Sequence, residues 1–216
     1  MDLAVTTIVV SPFEQNCRLI VDRETGDAVI VDPGDAPARI LQAVKASGAT
    51  VKMLLATHGH LDHVGAVIPV REALRAPFAI HRADRPILDW MPEHGKMFGM
   101  PGLKVPDIDL DLSEIEEIPF GKGVIRVLKT PGHTPGGCTF LFGDDAMVGM
   151  FGDSLFHLSV GRTDLGGDAR VYARTIRDVL LPLPDATVVH SGHGPSSTMA
   201  VERAENPFLT GQIPLE

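Results

Sequence analysis

Four side chains of the kinds that bind metal ions crowd into six positions of the segment ATHGHLDHVG: His58, His60, Asp62 and His63. The chain of 216 residues has nine histidines, and three of them fall here. Imidazole and carboxylate suit zinc, iron or manganese. A catalytic ion keeps one position open, so four protein ligands are too many for one such ion. If the chain stays extended, residues 58 and 60 point the same way. Asp62 and His63 can then face a second point as a helix begins. The spacing predicts a site for two ions; the competing reading is a solvated polar loop.

Three further residues weigh against that loop. His133 lies in TPGHTPGG, Asp153 in MFGDSLF and His193 in VVHSGHGP. In each case an apolar run ends, a glycine lets the backbone turn, and one ligand-type side chain is presented. Packing does not explain this pattern at four strand ends.

The elements that must hold these residues are legible as short β-branched runs bounded by Gly, Pro or Asp. They are Ala4–Val10, Cys17–Asp22, Ala28–Asp32, Val51–Ala56, Pro77–His81, Val124–Thr130, Cys138–Phe142, Ala146–Phe151 and Ala186–His190. ETGDA, between the second and third runs, reads as a hairpin turn. APARILQAVKASG, HVGAVIPVREALRA and DARVYARTIRDVLLPL carry helical periodicity. Gly48 should stop the first, Pro69 should kink or delay the second, and Asp168 should cap the third. The second half roughly repeats the first, which predicts two mixed sheets with helices outside. Residues 91–111, rich in Pro, Gly and Met, read as a long surface loop flanking a site.

Composition narrows the function classes. Hydrophobic residues make up 44% and charged residues 22%, which argues against disorder. The net charge of −9 leaves no basic footprint for nucleic acid. No segment approaches the length of a membrane span, and the N-terminus lacks the basic region of a signal peptide. A cytoplasmic protein is expected. Cys17 and Cys138 form no metal-binding motif and read as buried, reduced thiols.

The set HxHxDH at 58–63 with His133, Asp153 and His193 resembles the ligand set of the metallo-β-lactamase superfamily. The resemblance runs from DPGD at Asp32 to HGP at His193. It implies an αββα four-layer sandwich of two mixed sheets flanked by helices, as one domain over residues 1–216. It implies that His58, His60 and His133 hold one divalent ion, and that Asp62, His63 and His193 hold a second. Asp153 would bridge them. Zinc is the leading ion, with iron or manganese as alternatives. Antibiotic-hydrolysing members are usually exported and many carry a cysteine where this chain has Asp153, and RNA-processing members add nucleic-acid-binding elements. GRTD at Gly161–Asp164 and ENPFL at Glu205–Leu209 are similar to the glyoxalase II group, above all to its short bacterial, hydroxyacylglutathione hydrolase-like members that lack a C-terminal helical domain.

That group implies hydrolysis of a small-molecule thioester or ester, glutathione-linked in the S-D-lactoylglutathione manner, by water activated between the two ions. Asp62 would bind the second ion and accept the proton of that water. Asp32 and Thr57 are placed to orient the ligating histidines. A persulfide dioxygenase-like enzyme, with one iron on His58, His133 and Asp153, is the alternative, and a lactonase a further one. HGPSST after residue 192 departs from the Asp-Tyr of the former, and the retained His60 argues against an oxygen-reducing di-iron scaffold. Among the remaining residues, His157 could line the substrate pocket, and Arg162 could grip a carboxylate or pair with Asp164. His81 and His190 read as structural, and His94 as solvated.

Overall fold

The computed structural model describes residues 1–143 and 147–215. LAVTTIVV forms β1 (Leu3–Val10), paired antiparallel with β2 (Gln15–Asp22), which turns through ETGDA into β3 (Asp27–Val31). α1 (Pro37–Ser47) buries Ile40 and Val44 and ends at Gly48. It carries the chain across to β4 (Thr50–Leu55), parallel to β3, because parallel neighbours need a crossover rather than a hairpin. Two short helices, α2 (Leu61–Val64) and α3 (Val67–Leu74), lead to β5 (Phe78–Ile80). α4 (Arg85–Met97) then leads to β6 (Leu110–Asp111), which closes a six-stranded sheet in sequence order.

The second sheet repeats the plan. β7 (Glu117–Phe120), β8 (Gly123–Lys129), β9 (Cys138–Phe142) and β10 (Val148–Gly152) run antiparallel. α5 (Ala169–Thr175), prolonged by wider π-type turns through Leu180, crosses to β11 (Val188–Ser191), parallel to β10. β12 (Ser197–Thr198) and α6 (Met199–Glu205) follow. Asp168 caps α5 as its type predicts, accepting from the N–H groups of Arg170 at 2.8 Å and Val171 at 2.9 Å.

Strand alternation divides the core into three layers. Ile20, Val29, Val31 and Leu55 of the first sheet meet Ile125, Val127, Phe140 and Phe142 of the second. The opposite face of the first sheet, with Leu19, Ile30, Leu54 and Phe78, packs under α1, α3 and α4. The outer face of the second, with Leu141, Phe151 and Val189, packs under α5 and α6. The result is the four-layer αββα sandwich. Cys17 and Cys138 are buried and unbonded, in different layers. Burial pushes the Cys138 thiol up to about 12 and the Cys17 thiol higher still.

Several local readings need correction. The stretch 91–111 is not all loop: its first seven residues are the end of α4. Leu88, Met91 and Gly95 lie buried on one face of α4, and this spacing was masked by the Pro, Gly and Met content. The second helical pattern is two helices, broken at Gly65–Ala66, with Pro69 inside the first turn of α3 where a missing N–H costs little. The two-residue strands β6 and β12 carry too few residues to show a period, whereas β7 alternates over its four residues and was not among the predicted runs. Ala146, at the start of one predicted strand, lies outside the described residues. Among the described residues no helix is long and apolar enough to cross a membrane.

Candidate metal centre

Each residue of the predicted ligand set stands in a turn that follows a strand or, for Asp62 and His63, in the short helix that such a turn opens into, and the sandwich brings these segments to one edge. His58 and His60 follow β4, and Asp62 and His63 open α2. His133 lies beyond β8, Asp153 directly after β10 and His193 after β11. Their donor atoms fall into three overlapping clusters, each with all atoms within 4.8 Å: His58, His60 and His133; His58, His63 and Asp153; Asp62, His63 and His193. Asp153 stands between the outer two. Its Oδ2 lies 3.5 Å from His133 Nε2 and 3.7 Å from His193 Nε2, and its Oδ1 lies 3.4 Å from His63 Nε2. Asp62 Oδ2 is 3.3 Å from His193 Nε2 and 3.8 Å from His63 Nε2.

Each histidine spends its other ring nitrogen on a fixed acceptor, which sets its tautomer. His133 Nδ1 donates to the Arg162 carbonyl at 2.6 Å and His60 Nε2 to the Leu165 carbonyl at 3.1 Å. His193 Nδ1 donates to the Phe13 carbonyl at 3.0 Å, and His63 Nδ1 to Asp32 Oδ2 at 2.9 Å. Thr57 Oγ1 donates to Asp32 Oδ2 at 2.7 Å and accepts from His58 Nδ1 at 3.1 Å. Asp32 and Thr57 therefore stand behind His58 and His63.

These tautomers aim five nitrogen lone pairs inward. His133 Nε2 and His60 Nδ1 face each other across 3.0 Å, and His63 Nε2 and His193 Nε2 across 3.4 Å. Such pairs repel unless a proton or a cation lies between them. His58 Nε2 is buried with no hydrogen-bond partner, and so is Asp153 Oδ1. Gly192 leaves this space clear, since a Cβ there would run into Asp153 Oδ1 and lie 2.7 Å from His63 Cε1. Burial and the neighbouring imidazoles hold His58 well below its usual range, and burial holds His133 at about 4. Burial also opposes charge on His63, yet Asp153, Asp32 and Asp62 together raise it well above the usual value. The carboxylates of Asp62 and Asp153 stand among these nitrogens, and such a nitrogen and oxygen donor set fits divalent ions of the zinc, iron or manganese type.

Several supporting residues gave no sequence signal. Asp84, wholly buried, accepts from Gly59 N at 2.8 Å, Thr134 Oγ1 at 2.9 Å and Gly136 N at 2.6 Å, so one carboxylate ties the His58–His60 turn to the His133 turn. The Tyr172 hydroxyl on α5 donates to the carbonyls of Asp153 and Ser154 and accepts from Gly161 N. Asn16 holds the His193 turn through the Ser191 and Gly194 carbonyls at 3.1 and 2.9 Å. All three act mainly on backbone, which no ligand spacing reveals.

A cleft of about 530 Å³ opens over His60, Asp62, Asp153 and His193, with Phe13, His94, Phe98, Phe156, Arg162 and Leu165 around it. His94, read as solvated, belongs to this lining because α4 carries it there. Arg162 lies at the cleft with its Nε and Nη2 donating to Asp164, each at 2.5 Å. His157 is outside the lining: its side chain turns to Glu202 of α6, 3.3 Å away, and the adjacent Phe156 faces the cleft instead. His81 caps the 82–84 turn, and His190 bonds Ser196 behind the ligand residues.

The family model described as the metallo-beta-lactamase superfamily matches residues 10–193. The chain is 36% identical to hydroxyacylglutathione hydrolase GloC of Haemophilus influenzae, over 95% of this chain and 97% of that protein. Among solved structures, BLEG-1 B3 metallo-beta-lactamase superposes with a TM-score of 0.88 at 35% identity, covering 96% of this chain and all of the other. TTHA1623, solved in a di-iron-bound form, does so with a TM-score of 0.85 at 36% identity, covering 95% of this chain and all of the other.

Proposed function

From the premise that this chain belongs to the metallo-beta-lactamase superfamily of metallo-hydrolases, we propose that it hydrolyses a small-molecule thioester, glutathione-linked in the manner of S-D-lactoylglutathione, in the cytoplasm and as a single domain over residues 1–216. The observation that carries this reading is the convergence of two donor groups on one cleft with Asp153 between them. His58, His60 and His133 would hold one ion, and Asp62, His63 and His193 the other; zinc is the proposed metal. Ions held by these residues would lower the pKa of water to about 7 and polarise a carbonyl oxygen.

The chain's own groups supply the rest. Asp62 is half-buried at the cleft, and His63 and His193 keep its carboxyl below the usual range against the effect of burial. It is thus ionised at neutral pH, as the roles of metal ligand and proton acceptor both require. Asp32, Thr57 and the carbonyls of Phe13, Arg162 and Leu165 hold the imidazoles in register. No side chain need protonate the leaving group, because a thiol of pKa about 8.5 departs as thiolate. The glutathione carrier is supported by the likeness to GloC and by the GRTD and ENPFL segments.

The test pairs elemental analysis with turnover of S-D-lactoylglutathione. Two metals per chain and thioesterase activity are expected. Asp62→Ala should lower kcat by roughly 10²–10⁴-fold, the range for a lost proton acceptor, with a loss of metal. Normal turnover in that variant would overturn the assignment. One iron per chain without thioesterase activity would point to a dioxygenase, and two metals with esterase activity alone to a lactonase.

A further inference from the structure

The residues whose carbonyls orient two of the site histidines also expose apolar side chains beside them. Phe13 accepts from His193, Leu165 accepts from His60, and their side chains are 39% and 40% exposed at the cleft. Phe98 joins them: its ring lies 5.8 Å from that of Phe13, edge to face, and it is 47% exposed. The aromatic surface continues along one face of α4, with His94 6.4 Å from Phe98 and Trp90 5.7 Å from His94. On the other side, the Phe156 ring stands 6.0 Å from that of His193. Apolar side chains gathered on one exposed surface around a cleft mark a binding surface rather than chance.

Charge points the same way. Among the described residues lining the cleft, Arg162 is the one permanent cation, and its Nε and Nη2 are held by Asp164. Beside that one paired cation, three phenyl rings and Leu165 flank the reacting edge.

We propose that Phe13, Phe98 and Leu165 form a seat for an apolar acyl group, so that the enzyme selects thioesters by the alkyl or aryl surface next to the reacting carbonyl. This rests on the thioester reading and narrows its substrate class. Because Phe13 and Leu165 are hydrogen-bonded to His193 and His60, and Phe98 packs on Phe13, an acyl group lying on the seat is held beside the donor clusters.

The experiment measures binding apart from hydrolysis. Zinc-loaded protein is titrated calorimetrically with unreactive thioethers, S-methyl through S-hexyl, on uncharged N-acetylcysteamine and in parallel on glutathione. Kd should fall at least about tenfold from methyl to hexyl on both carriers, a fraction of what full burial of the added methylenes would give. Phe98→Ala and Phe13→Ala, checked for unchanged zinc content, should remove most of that dependence, and Phe98→Leu should restore it. A Kd independent of chain length would overturn the seat, as would a dependence that survives both alanine variants. A steep dependence without turnover of any thioester would instead sink the hydrolase reading and leave the seat standing.

Discussion

Asp32 has a left-handed backbone, φ +55°, which an aspartate tolerates better than most residues. In that conformation its carboxylate reaches three donors: Thr57 N at 2.7 Å, Thr57 Oγ1 at 2.7 Å and His63 Nδ1 at 2.9 Å. One side chain thus fixes the turn bearing His58 and the tautomer of His63. Asp32→Asn keeps the shape but removes the charge that supports the imidazole. Zinc affinity should fall about 10–100-fold, read by competition with a chromophoric chelator. Equal affinity in the variant would deny Asp32 this role. The ligand-type residues were legible because their chemistry is rare and their spacing dense. Asp84, Tyr172 and Asn16 were not, because a residue that bonds another segment's backbone leaves no local pattern.

At the level of elements, the site is a set of strand ends held together by cross-links between their turns. Asp84 lies between β5 and α4, yet its three donors come from the turns after β4 and β8. Asp84→Ala would leave those donors buried and unpaired, at about 1–3 kcal/mol each. We expect a loss of at least about 3 kcal/mol in urea unfolding; a loss under 1 kcal/mol would show that the turns hold without it. The strands themselves were readable from β-branching and punctuation. α4 was misread because the stretch from Met91 combines an internal Pro92 with Gly95 and methionines, a loop-like composition. Burial of Leu88, Met91 and Gly95 against the core overrides that local signal.

Across the whole molecule, the two sheets are joined by their shared apolar layer and by polar ties at the edge. Asp22, buried at the end of β2, accepts from Glu24 N at 3.0 Å and Thr25 Oγ1 at 3.1 Å within its own turn, and from Lys122 N at 3.3 Å in the β7–β8 turn of the other sheet. Burial opposes the charge, but these donors hold the carboxyl below its usual value of 3.8. A carboxyl depressed in the folded state stabilises it above the unfolded pKa, and that contribution is lost as pH falls through the folded pKa. Asp22→Asn should therefore cost about 1–2 kcal/mol at pH 7, and the gap from wild type should narrow below pH 4. Chemical denaturation at pH 7 and pH 3 checks this; a gap that widens in acid would contradict it.

By itself the sequence pointed to metal-dependent chemistry, to seven ligand-type residues and to two mixed sheets with helices outside, and the family resemblance those residues carry added the αββα plan. Imidazole and carboxylate spacing, strand periodicity and crossover helices are local properties, and each is written within a few consecutive residues. Only the tertiary structure decided which atoms of those residues face one another, and that Phe13, Phe98 and Leu165 share the mouth of the cleft. Phe13 and His193 are 180 positions apart in the chain and 3.0 Å apart at carbonyl and imidazole. Proximity of that kind comes from the closing of two sheets on each other, and no spacing along the chain records it.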